Sequence, residues 1–284
     1  MSSRSRKRTA AAVMCMLAAV AVMLGARASR TVASARPSMR VCADPNNLPF
    51  SNDRGEGFEN RLAQLIGREL GEPVEYVWWS QRRGFIRSTL NAGDCDVIMG
   101  VPTSLDMVLR TQPYYRSSYV FVTRADFGVE PRSFDDARLE RARIGVQMIG
   151  DDGANSPPAE ALSRRGIIRN VRGYMVYGNY ADSMPLAPIM DAVARHEIDV
   201  AVVWGPLAGY YVSRTRAALR LTPVSPQIEL PFLPFVFDIA LGVRRRDTLF
   251  RNQLNDVLSR RAGDIARLLD AYGIPRVSAT RRSS

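Results

Sequence analysis

The densest concentration of reactive and recognition side chains is the stretch WWSQRRGFIR, which sets Trp78 and Trp79 just ahead of Gln81, Arg82, Arg83 and Arg87. Indole and guanidinium groups are the side chains most enriched at the energetic centres of protein interfaces, and arginine also stacks on an exposed indole. The stretch therefore reads as a partner surface, against the plainer alternative of a solvated helix start whose arginines pair weakly with Asp94 or Asp96. A second cluster, CADPNNLPFSN, carries Asp44, Asn46, Asn47 and Phe50 on a loop after a strand, either as ligand contacts or as turn chemistry. Tyr114 and Tyr115, Gln147, Asp151 and Trp204 complete the candidates for lining a ligand cleft. Asp151 and Asp152 precede a helix start, a place that otherwise welcomes an anion, so the two acids argue against a phosphate ligand.

Signals for catalysis are thin. The single histidine, His196, sits in ARHEID and has no companions for a metal cluster. There is no phosphate-cradling glycine loop, and no cofactor is expected. Carboxylates such as Asp44 and Glu59 can in principle act as acid and base.

These residues follow a leader. Arg4, Arg6, Lys7 and Arg8 precede an apolar run from Ala10 to Leu24 and then small residues, the pattern of a secretory signal peptide. Cleavage is expected after Ala35, with Ala28 as the alternative. The leader holds six basic residues and no acid, so the formal charge falls from +11 to +5 and the only lysine, Lys7, is lost. The remaining arginines are scattered, which speaks for a solvated surface and against nucleic-acid binding. Export also puts Cys42 and Cys95 in an oxidising compartment. One disulfide between them is expected, the alternative being two buried thiols. No later apolar stretch is long enough to span a bilayer, so a chain not embedded in the membrane is expected, in the periplasm.

From Met39 onward short apolar strands alternate with amphipathic helices, the mark of an α/β fold. MRVCADP reads as a strand; Phe58, Leu62, Leu65, Ile66 and Leu70 recur at helical spacing and stop at Gly71. VEYVWW is a second strand, with Trp78 and Trp79 on opposite faces. A helix is expected over 83–91, and CDVIMG is the next strand. A second α/β unit opens at RIGVQ, with Ser156 as N-cap and Pro157 at the first helical position; DVAVVW and a helix after Pro206 continue it. Two terminal helices follow, the first capped by Asp247. The extended runs RSSYVFVTR and LPFLPFVFDIALGVRR bracket this unit and imply two lobes joined by a two-stranded hinge: residues 36–123 and 236–284 in lobe 1, residues 124–235 in lobe 2. A cleft between such lobes is the natural ligand place.

Taken together, GFENRLAQLIGRELG, VEYVWW, GDCDVIMG, PYYRSSYVFVTR and RIGVQ resemble the type II periplasmic solute-binding proteins. A narrower resemblance covers CADPNNLPFSN, WWSQRRGFIRSTLNAG, CDVIMGVP, VWGPLAGYY and LPFLPFVFDIALGVRR. These five blocks, in this order, are similar to the branch associated with quinoprotein (PQQ) alcohol and methanol dehydrogenases, the J-type proteins of methanol oxidation. The resemblance implies a type II periplasmic-binding-protein fold and a non-catalytic accessory of a PQQ-dependent dehydrogenase, with or without a small molecule in the cleft. Amino-acid binders of the fold place an arginine shortly before the Pro-Tyr-Tyr and an acid after the DVAVV strand. Here Ser104, Leu105 and Asp106 stand in the first region and Trp204 and Gly205 in the second, so an amino acid is not expected as ligand. An importer's receptor for another small organic solute is the alternative.

Overall fold

The computed structural model describes residues 37–128, 130–148, 155–176 and 180–278. Strand β1 (Met39–Ala43) leads through a long loop to helix α1 (Phe58–Leu70), which buries Phe58, Leu62, Ala63 and Ile66 and ends at Gly71 in the left-handed conformation that only glycine adopts without strain. Strand β2 (Val74–Trp78) then pairs parallel to β1. The helix expected over 83–91 is a single turn, α2 (Phe85–Ser88): Gly84, at φ 87°, keeps Arg82 and Arg83 in the preceding turn, and the helical run ends at Thr89. Strand β3 (Val97–Pro102) pairs parallel to β1 on its other side.

The extended run after Pro113 forms β4 (Tyr115–Arg124), and the later one forms β9 (Val236–Val243). Between them lie β5 (Ile144–Met148), α3 (Pro157–Arg164), β6 (Val171–Met175), α4 (Pro188–Ala194), β7 (Val200–Trp204), α5 (Gly205–Val212) and β8 (Leu219–Pro223). Helices α6 (Thr248–Arg260) and α7 (Ala262–Ala271) close the chain. Asp247 stands before α6 but makes no side-chain cap; Arg244, 2.7 Å away, takes its carboxylate instead.

The strands make one mixed sheet in the order β2-β1-β3-β9-β4-β7-β5-β6, with β8 also on β4. Its halves are parallel internally and are joined by the antiparallel pair β4 and β9. Strand β4 pairs with β9 through Tyr115–Ser118, then with β7 through Tyr119–Thr123. Two strands thus carry the chain between two α/β units. Helices α1, α6 and α7 cover one face of the first unit. On its other face a smaller core of Cys42, Phe85, Leu90, Cys95, Ile98, Val101 and Val108 gathers round the disulfide Cys42–Cys95, whose Cα atoms are 5.5 Å apart. Among the described residues no helix is long and apolar enough to cross a membrane.

Candidate functional site

The carboxyl ends of parallel strands in both halves point at a common gap, the usual ligand position in open α/β sheets. There lies a cavity of about 500 Å³. Asp44, Asn46, Asn47 and Phe50 enter it from the loop after β1, Gln81 from the turn after β2, Gln147 from β5 and Trp204 from the end of β7. Of the expected cleft residues that are described, all but Tyr114 and Tyr115 therefore converge, and Gln81 joins them although it was expected on a partner surface.

Aromatic faces dominate the wall. The Trp204 ring stands 5.4 Å from Tyr119 and 5.8 Å from Phe237, and Phe237 and Tyr119 lie 6.4 Å apart, all three pairs edge-on. Burial pushes the Tyr119 phenol up to about 12, so this wall stays neutral at any physiological pH. Gln147 holds the end of β7 in place: its Oε1 accepts the backbone N–H of Trp204 at 3.1 Å, and its backbone carbonyl accepts from the Ser156 hydroxyl. Ser156 has the position of an N-cap, as expected, but spends its hydroxyl on this strand rather than on the helix.

Among the described residues no arginine lines the cavity, and the one carboxylate that does, Asp44, is already engaged. Asp44 is buried; its Oδ1 accepts the Asn46 N–H at 2.9 Å, and its Oδ2 accepts the Gln81 N–H at 2.7 Å and the Tyr180 hydroxyl. Tyr180 belongs to the segment between β6 and α4. Burial, followed by the hydrogen bond to Asp44, pushes its phenol up to about 12, which keeps it a donor. Asn46 Nδ2 reaches the same segment, donating to the carbonyls of Tyr180 at 3.0 Å and Asp182 at 2.9 Å. Two carbonyl acceptors fix the orientation of that amide, and its Oδ1 is left buried without a partner. Arg82 lies over the Tyr180 ring at 5.5 Å. Asp44, Asn46 and Arg82 thus form a latch with Tyr180 across the mouth of the gap.

Other expected residues lie elsewhere. Tyr114 and Tyr115 pack into the core under α1 rather than the cavity: Tyr115 meets the Phe58 ring edge-on, and the Tyr114 hydroxyl donates to the Met99 carbonyl at 2.9 Å. Trp78 is half-buried and stacks on Tyr76 at 4.6 Å, whereas Trp79 on the opposite side is 49% exposed. Arg82, Arg83 and Arg87 are exposed, and Asp96 does not serve them, since Arg40 and Arg244 hold it at 2.8 and 2.9 Å. Asp151 and Asp152 lie outside the described residues. Ser104, Leu105 and Asp106 stay out of the cavity, and Asp106 pairs with Arg110. Glu59 is half-buried beside Gly100 and the two tyrosines, and desolvation pushes its carboxyl up to about 8. His196 is exposed. Among the described residues no three histidine, cysteine or acidic side chains group as a metal site.

Sequence reasoning passed over Tyr119, Tyr180 and Phe237. Tyr119 and Phe237 sit on the two crossing strands, where alternation alone marks the cleft-facing positions; Tyr180 sits in a loop with no periodicity to mark it.

Two α/β units, a two-stranded connection and a ligand-sized gap at the strand ends define a type II periplasmic-binding-protein fold. The chain belongs to the bacterial extracellular solute-binding proteins, family 3, whose family model matches residues 39–274. It is 29% identical to protein MoxJ of Methylorubrum extorquens over 295 residues, covering 95% of this chain and 96% of that one. Among solved structures, the periplasmic binding protein XoxJ from Methylobacterium extorquens AM1 is 33% identical with a TM-score of 0.69, over 85% of this chain and 100% of that chain. MxaJ from Methlophaga aminisulfidivorans MPT matches with a TM-score of 0.73 at 24% identity, over 84% of this chain and 100% of that chain, and shows the same fold. Family and relatives agree on a place outside the cytoplasm.

Proposed function

We propose that the chain is a periplasmic, non-catalytic accessory that binds a PQQ-dependent methanol or alcohol dehydrogenase and assists its maturation or activation. One observation carries the reading beyond the likeness to J-type proteins: among the described residues the cleft holds neither ionic grip of an amino-acid receptor. Trp204 stands where an acid would hold an ammonium group, and no described arginine lines the cavity to hold a carboxylate. In this reading residues 1–35 are the export leader, lobe 1 spans 36–123 and 236–284, and lobe 2 spans 124–235; the pairing of β4 supports moving the first crossing back to Ser118 and Tyr119.

Deleting the gene should lower methanol-dependent dye reduction in periplasmic extracts at least tenfold, with recovery when the chain is supplied on a plasmid. Unchanged activity in the deletion strain would contradict the proposal.

The aromatic-walled cavity favours a second reading, a receptor for an uncharged solute. Stabilisation of the chain by one neutral ring compound, with no response to the dehydrogenase, would make that the better account.

A further inference from the structure

The cleft cavity holds one polar group that the fold positions and then leaves unused. Gln147, near the carboxyl end of β5, is only 7% exposed. Because its Oε1 accepts the backbone N–H of Trp204, the turn of the amide is fixed and Nε2 is left as a pure donor. No described residue accepts from that Nε2, and, unlike Asn46 Oδ1, it is not sealed off from the cavity that Gln147 lines. A desolvated donor without an acceptor works against the folded state, and an acceptor brought in by a ligand removes that cost.

The surroundings set the rest of the ligand. Trp204, Tyr119 and Phe237 stand edge-on to one another, and Phe50 and Ile239 line the same cavity, so most of its wall is suited to burying a ring. An anion finds no counterpart there: no described arginine lines the cavity, and residues 149–154 and 177–179, which lie outside the described residues, include no basic side chain. The Asp44 carboxylate is no free grip for a cation, since donors of the chain occupy both its oxygens. A charged ligand would leave its water without gaining a partner of opposite sign.

We propose that the cleft takes a neutral ring compound bearing a carbonyl or comparable oxygen acceptor, with the ring against the aromatic wall and the oxygen on Gln147 Nε2. The proposal rests on the reading of the cavity as a site for an uncharged solute, and it holds whether or not the chain also grips the dehydrogenase. It makes Gln147 the residue that sets specificity. A site built to hydrogen-bond one group of its ligand rejects the analogue lacking that group strongly, because the donor is then left buried and unpaired, whereas apolar contacts alone separate similar rings only weakly.

The test titrates the mature chain with paired probes, followed by ligand-observed NMR: acetophenone against ethylbenzene, and indanone against indane, with benzoate and benzylammonium as charged controls. Each ketone should bind at least about tenfold tighter than its hydrocarbon, and both ions should bind more weakly than the ketones. Gln147→Met fills similar space without the donor and should bring the ketone-to-hydrocarbon ratio close to one by weakening the ketones alone. Gln147→Glu keeps an oxygen for the Trp204 N–H and should also lower the ratio, which separates loss of the donor from displacement of Trp204. Equal binding of ketone and hydrocarbon by the parent, or a ratio unchanged in both variants, would overturn the role of Gln147 and leave the cavity a site for an uncharged solute. If none of the neutral probes binds, or if benzoate or benzylammonium binds tightest, the proposal and that reading both fall.

Discussion

At the scale of single residues, the buried carboxyls divide by how well they are served. Asp44 has a hydrogen-bond donor for each oxygen and can stay where it is needed for the latch. Burial works against the charge of Asp96, and the hydrogen bonds from Arg40 and Arg244 outweigh it, holding its carboxyl below the usual range. Glu59 has burial without compensation, and its carboxyl is pushed up to about 8. The folded chain therefore keeps a proton on Glu59 that the unfolded chain releases above about pH 4.5, so folding favours the protonated form and stability falls as pH rises through about 8. Comparing melting temperatures at about pH 5 and about pH 8.5 should show a smaller drop for Glu59→Gln than for the parent, with Glu59→Gln the more stable at the higher pH. Equal drops would mean the carboxyl is solvated.

At the scale of elements, the crossing strands β4 and β9 and the helices α1 and α6 were legible because their apolar periodicity runs uninterrupted, with Gly71 marking one end clearly. The helix after Trp79 was not, because the residues that look helical, Ile86 and Leu90 among them, are drawn into a small core by the adjacent disulfide and β3. Cleft residues on loops after strands, Asp44 to Phe50, could be placed from topology alone. Residues whose role depends on the approach of the other unit, such as Tyr180, could not. The disulfide ties β1 to the turn just before its neighbour β3 across 53 residues and staples the thinner of the two faces. Replacing both Cys42 and Cys95 with serine should cost about 2–4 kcal/mol in urea unfolding, with the loss of hydrogen-exchange protection centred on β1, β3 and α2. A loss spread evenly over both units would contradict a local role.

At the scale of the whole molecule, the latch of Asp44, Asn46 and Arg82 on Tyr180 ties the loop after β1 and the turn after β2 to the segment before α4, beside an aromatic-walled cavity. The buried, unpartnered Asn46 Oδ1 works against closure, at a cost of about 1–3 kcal/mol. A balance of this size is one that a partner or solute can tip. Tyr180→Phe removes a hydrogen bond to a carboxylate, about 1.5–3 kcal/mol, and should raise the radius of gyration seen by small-angle scattering. An unchanged radius would show that other contacts hold the two halves together. The claim on which the account turns is that this scaffold grips an enzyme rather than a zwitterion. Analytical ultracentrifugation of the mature chain mixed with its PQQ dehydrogenase measures that directly. The account predicts a faster-sedimenting complex that persists with a tenfold excess of mixed amino acids; two independent boundaries, with the chain stabilised instead by an amino acid, would contradict it.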